Sequence, residues 1–255
     1  MSLSAASAPL GQILLLTLIP VAATILGGVV ASFRPPGPRV RSFVQHFAAG
    51  VVFAAVAGEL LPEITAGHQP LGVVIGFVLG VGVMLAVRAL VGRLEPEEAE
   101  TDGGAEDGDT PRSATGLLAA VGIDILIDGL LIGVGFAAGE RVGTLLVVAL
   151  TLELLFLGLS VAASLGQRGA SRGRSILTVS GLSLLVIVGA TVGGTLLQGL
   201  TGLPLEIVLS FGAAALLFLV TEELLVEAHE VKETPWITSA FFLGFIALYL
   251  IELLS

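Results

Sequence analysis

The 255-residue sequence contains no cysteine. That absence excludes disulfides, thiolate metal ligands and cysteine nucleophiles, leaves the redox compartment unreadable, and restricts any metal to oxygen and imidazole donors. Charge is scarce as well: charged side chains make up 13% of the chain, against roughly a quarter of a soluble domain. Of the eleven basic residues only Lys232 is a lysine, and a formal net charge of −10 argues against the basic surface that nucleic-acid binding needs. There is no Gly-rich phosphate loop closed by lysine, no His-Glu-x-x-His and no serine nucleophile elbow, so no enzyme is expected. The first ten residues carry no Lys or Arg, so the apolar run after them lacks the basic leader of a cleavable signal peptide and reads as a retained span.

What fills the chain instead is apolar: 55% of residues are hydrophobic and the mean hydropathy is +1.02. A bilayer demands about 20 apolar residues per helix. Stretches of that length fall near 11–32, 43–62, 70–93, 113–138, 142–166, 175–199, 204–226 and 236–254, which predicts an all-α integral membrane protein of eight spans in a single transmembrane domain. Proline and glycine punctuate the loops at Arg34 to Pro38, Gln167 to Gly173 and Lys232 to Pro235. The connection at 94–111 is acidic and Gly-rich, a composition that cannot bury a core and predicts a flexible loop.

Orientation follows from the basic residues. Arg34, Arg39, Arg41, Arg88, Arg93, Arg112, Arg168, Arg172, Arg174 and Lys232 all fall in or beside alternate connections, and Arg141 alone falls opposite. The positive-inside bias therefore predicts both termini outside and the acidic loop in the cytoplasm. An internal repeat is also visible. Phe47–Ile64 and Phe211–Ala228, aligned without gaps, match at seven of eighteen positions, including Glu59 with Glu223 and Glu63 with Glu227. These are the second and seventh spans, which cross in opposite directions, so the pattern is an inverted repeat of the kind transporters use to hold substrate near the midplane.

Asp124 and Asp128 stand four residues apart in the fourth span, on one helical face. Glu153 sits mid-span in the fifth. At about 1.5 Å per residue the aspartates lie roughly 22 and 16 Å before the turn at Gly139, and Glu153 roughly 15 Å after Gly143, so all three meet at similar depth. Intramembrane acids are costly and mark proton relays or cation sites. An all-carboxylate site is hard and oxygen-rich, suited to Mn²⁺, Mg²⁺, Ca²⁺ or Fe²⁺, and Zn²⁺ also accepts such ligands. The alternative is that each acid is protonated and simply bonds a neighbouring helix. Glu59 and Glu63, near His68, stand at the outer end of the second span and form a candidate entrance; Glu222, Glu223, Glu227 and His229, with Glu230, close the seventh span on the inner side and form a candidate exit. His46, at the inner start of the second span, reads as a packing or interfacial residue.

The second span, FAAGVVFAAVAGELLPEI, is similar to the FxAGVxLxxxxxHLLPE pattern of the ZIP (Zrt/Irt-like) divalent-metal transporters, with Glu59 where His is common. Asp124 to Gly129 resembles that family's fourth-span motif His-Asn-x-x-(Asp/Glu)-Gly, and Glu153 with Gly158 falls where the fifth-span motif has its first ligand and its glycine. The resemblance implies a bundle of spans one, four, five and six working against spans two, three, seven and eight, and import of a zinc, iron or manganese ion as substrate, with no prosthetic group. The family's second metal site is missing its ligands, since Ile125, Leu154 and Leu157 stand at those positions. One site built from Asp124, Asp128 and Glu153 is therefore expected. The competing readings are a transport-inactive relative that binds a cation or partner, and a proton-coupled solute carrier. The partners expected are the divalent cation and the lipid bilayer, with a homodimer left open, and the plain expectation for location is a prokaryotic plasma membrane.

Overall fold

A computed structural model describes residues 10–94, 114–197, 199–232 and 234–254. Among them run eight helices long and apolar enough to cross a membrane, and no strands. They are α1 (Leu10–Phe33), α2 (Pro38–Gly67), α3 (Pro70–Leu94), α4 (Ala114–Ala138), α5 (Glu140–Gln167), α6 (Arg172–Leu196), α7 (Leu203–Ala228) and α8 (Pro235–Leu254). The chain is a multi-pass α-helical membrane protein. The acidic connection read at 94–111 lies, past Leu94, outside the described residues.

Proline opens α2, α3 and α8 and stands second in α7, where its missing N–H is no loss. Ser171 caps α6 by accepting the Arg174 amide at 3.4 Å. α2 is longer at both ends than its apolar run suggests: it opens at Pro38, and Pro62 does not stop it before Gly67. Proline cannot donate to the turn before it, and the helix absorbs that loss by widening into a π-turn at Val56–Leu60, with the Leu61 amide reaching back to the Val56 carbonyl. The only other π-turn among the described residues is at Val220–Leu224 in α7. It occupies the matching position of the sequence repeat. No proline is present there; the Thr221 hydroxyl instead bonds the Leu217 carbonyl at 2.9 Å and loosens the ladder.

The inverted repeat extends through the packing. α1 packs on α5 as α4 packs on α6, and α2 packs on α8 as α3 packs on α7. Glycines set these crossings, because water does not drive helices together in lipid and close backbone approach must do so. A Cβ at Gly27 would strike the Leu155 carbonyl and one at Gly158 the Thr24 carbonyl; on the other side, Gly189 would strike the Leu126 carbonyl and Gly129 the Val186 carbonyl. Likewise Gly244 meets the Phe47 carbonyl, and Gly80 the Phe211 carbonyl. Each contact has its counterpart at the residue the repeat demands. Helix direction agrees: Arg41 and Gln45 at the start of α2 reach Glu227 at the end of α7, while Gly67 at the other end of α2 lies against Glu206 near the start of α7.

The described basic residues separate as the sequence predicts. Arg41 pairs with Glu227 and Arg88 with Glu222 at one end, where the Arg172 guanidinium also covers the Phe33 ring. Arg141 lies at the opposite end, beside Glu252 of α8, and Gln12 of α1 donates to Glu140 there. The start of α1 and the end of α8 therefore share the Arg141 end.

Candidate metal centre

α4 and α5 form a hairpin broken only at Gly139, which places their midpoints side by side. Asp124 and Asp128 project from α4 and Glu153 from α5, and one carboxylate oxygen of each lies within 4.8 Å of the others. They form the one such cluster of three metal-type ligands among the described residues. Asp128 is fully buried and Glu153 is 3% exposed. Both oxygens of Asp128 and Oε2 of Glu153 are buried without a hydrogen-bond donor. The charged groups that act on this trio are carboxylates too: its own members, with Glu223 and Glu227 across from them on α7. A buried anion without donor or counter-charge is unstable, so the arrangement calls for protons or a cation.

The repeat also explains the trio's composition. The glycine crossings pair Gly129 with Gly158, and in the same register Asp124 pairs with Glu153 and Asp128 with Leu157. The site is thus a symmetric carboxylate pair plus one acid that has no counterpart. Ile125 and Leu154, at the positions where the resembled motifs carry polar ligands, are wholly buried. Ile125 and Leu157 line, with Thr24, Val121 and Leu182, an apolar gap with no room for a water molecule. None of the residues lining this gap carries a carboxylate or an imidazole for a second ion.

The candidate mouths differ from one another. Glu59, in the π-turn of α2, is about nine-tenths buried and accepts from Arg141 Nε at 3.1 Å, while Arg141 Nη2 donates to the Glu252 carbonyl at 2.9 Å. Glu63 is exposed one turn further out. At the other end the charge of Glu223, in the π-turn of α7, acts on all three acids of the trio, whereas its neighbour Glu222 turns outward to Arg88 at 2.9 Å. Glu227 accepts from Gln45 and Arg41, and Arg41 also reaches Glu230 at 3.8 Å. The His229 ring lies 5.1 Å from that of His46.

Sequence reasoning missed three participants. The sequence marks Arg141 only as the odd charge in the orientation count and His46 as a packing or interfacial residue, and nothing in it marks Glu206, 4% exposed on α7 near Glu63 and His68. The antiparallel repeat held the signal for His46, because it sets the start of α2 against the end of α7. A comparison with protein-family models finds no match to this chain, and no curated protein matches it.

Proposed function

We propose that the chain carries a divalent cation through the membrane by alternating access, with Asp124, Asp128 and Glu153 as the single intramembrane site. The observation that carries this reading is the convergence of three carboxylates, two of them buried, with both Asp128 oxygens and Oε2 of Glu153 left without a hydrogen-bond partner. Protons would neutralise the trio and leave its carboxyl groups only one another to bond. A divalent ion instead satisfies the trio at once, because its charge and its need for oxygen ligands match what the site offers. The two-fold packing supplies the moving parts: a pseudo-symmetric chain can exchange the conformations of its halves and so open to either side of a central site.

In this reading the ion enters past Glu59 and Glu63, rests on the trio, and leaves past Glu223 and Glu227. Glu222 is held by Arg88 and takes no part. The resemblance to the ZIP transporters in α2, α4 and α5 supports zinc, iron or manganese as the ion, moving inward across a prokaryotic plasma membrane. The dry Ile125 and Leu157 flank supports one ion per cycle rather than a bound pair.

Uptake of Zn²⁺ and Mn²⁺ into vesicles containing the purified chain tests the proposal. Asp128→Asn preserves shape and removes charge, and uptake should fall at least ten-fold while the protein stays monodisperse. Wild-type and Asp128→Asn vesicles that accumulate metal equally would reject the site.

A further inference from the structure

The inner end of the path holds a pair of imidazoles whose arrangement asks for a ligand. His46 is 2% exposed on α2. Its Nδ1 lies 2.9 Å from the Ser42 carbonyl one turn back, and a carbonyl only accepts, so Nδ1 carries the proton and Nε2 the lone pair. That Nε2 is buried and has no hydrogen-bond partner. A neutral imidazole with one nitrogen donated to a backbone carbonyl and the other presenting its lone pair is how histidine is held when it binds a metal.

His229, at the end of α7, is tied the same way. Its Nδ1 donates to the Leu225 carbonyl one turn back, so that nitrogen carries a proton. The two rings meet edge to face with centroids 5.1 Å apart, a separation one ion between them can bridge with a small rotation of the exposed His229. Ser42 anchors the junction by donating to the Ala228 carbonyl at 2.7 Å, so the ends of α2 and α7 that carry the rings are fixed to one another. Glu227 stands two residues before His229, held by Gln45 and Arg41.

We propose that His46 and His229 form a second, cytoplasm-facing metal site that takes a transition-metal ion leaving the trio and refuses Mg²⁺ and Ca²⁺. The trio alone is hard and does not separate these ions well; an imidazole pair does, because nitrogen donors suit Zn²⁺, Fe²⁺, Ni²⁺ and Cu²⁺ and are poor partners for Mg²⁺ and Ca²⁺. Selection would therefore fall at the exit, on histidines, after binding on carboxylates. The role rests on the transport reading of the trio; the ligand chemistry rests on the two rings.

The test uses the purified full-length chain and Cu²⁺ alone as probe, read by pulsed electron paramagnetic resonance for imidazole nitrogen on the copper. The chain has three histidines, so His68→Gln provides a background in which any imidazole signal comes from His46 and His229. In that background the signal should report two imidazoles on one copper and persist under a thousand-fold excess of Mg²⁺. His229→Gln should remove one imidazole and weaken that equivalent at least ten-fold. Because His229 is exposed, this variant keeps the test alive if His46→Gln fails to fold. No imidazole on copper in the His68→Gln background, or a signal unchanged by His229→Gln, overturns the proposal. Asp128→Asn separates it from the parent reading. Losing one bound equivalent with the imidazole signal intact supports both sites, whereas an intact signal with unchanged stoichiometry retires the trio and keeps the histidine pair.

Discussion

The two halves of the α4–α5 hairpin are packed differently. Beyond the trio toward Gly139, every residue from Leu131 to Phe136 is buried, and Leu145 to Val147, Ala149 and Leu150 oppose them from α5. On the other side of the trio most described residues of α4 from Leu118 to Asp124 are partly exposed, as are Leu155, Leu157, Leu159 and Ser160 of α5. The half toward Gly139 is a plug and the other half is loosely covered. The same contrast appears at the mouths, where Arg141 clamps Glu59 at one end while the Glu223 charge acts on the trio at the other. In the alternating-access reading this packing is the inward-facing member of the pair.

The comparison depends first on the glycine crossings, and breaking one has the largest expected effect. Gly129→Leu puts a side chain against the Val186 backbone, which cannot move aside as a flexible side chain can. Overpacking of a core costs about 1–3 kcal/mol, and a backbone contact in the middle of α4 and α6 belongs at or above the top of that range. The variant should lose its monodisperse elution profile and unfold at lower temperature, whereas Gly139→Ala, in open space at the hairpin, should keep both. Equal thermal stability for the two would show that the crossings do not set the packing.

An intermediate effect comes from solvent access, and the cysteine-free chain makes the measurement clean. Leu131→Cys lies in the plug and Ile123→Cys in the looser half. A membrane-impermeant maleimide should label Ile123→Cys at least ten-fold faster from the inner face than it labels Leu131→Cys from either face. Equal labelling would erase the contrast between the two halves.

The smallest effect is expected at the clamp. The Arg141 side chain is 58% exposed, so its ion pair with Glu59 contributes at most about 1 kcal/mol. Arg141→Gln should leave the unfolding temperature within a few degrees and, by releasing Glu59, raise uptake at low metal concentration about two-fold. A large loss of stability instead would make Arg141 a structural element rather than a cover.

Much of this was legible in the chain because lipid imposes few choices. Length and hydropathy mark the eight helices, and the acids stand out because every one in a span is costly. The convergence of Asp124, Asp128 and Glu153 could be read from spacing alone, since a tight hairpin leaves their relative depth little freedom. What spacing does not carry is lateral contact. Nothing local to Arg141 says that it reaches Glu59, far away in sequence, and nothing local to His46 says that its open nitrogen lies beside His229. The apolar run at 43–62 falls short of the end of α2 for a similar reason: a single proline cannot reveal that the helix around it widens and continues to Gly67.

The paired π-turns have a consequence for inheritance as well as for shape. Each absorbs one extra residue within an otherwise regular winding, so a chain lacking any one of Val56 to Leu60 would wind regularly there and keep Glu63 near its present direction. Regular winding with the length unchanged would instead turn everything beyond by about 100°, carrying Glu63 in α2, or Glu227 in α7, away from its present direction. Chains that align with this one through both helices should therefore accept a one-residue deletion at either π-turn more readily than elsewhere in those helices.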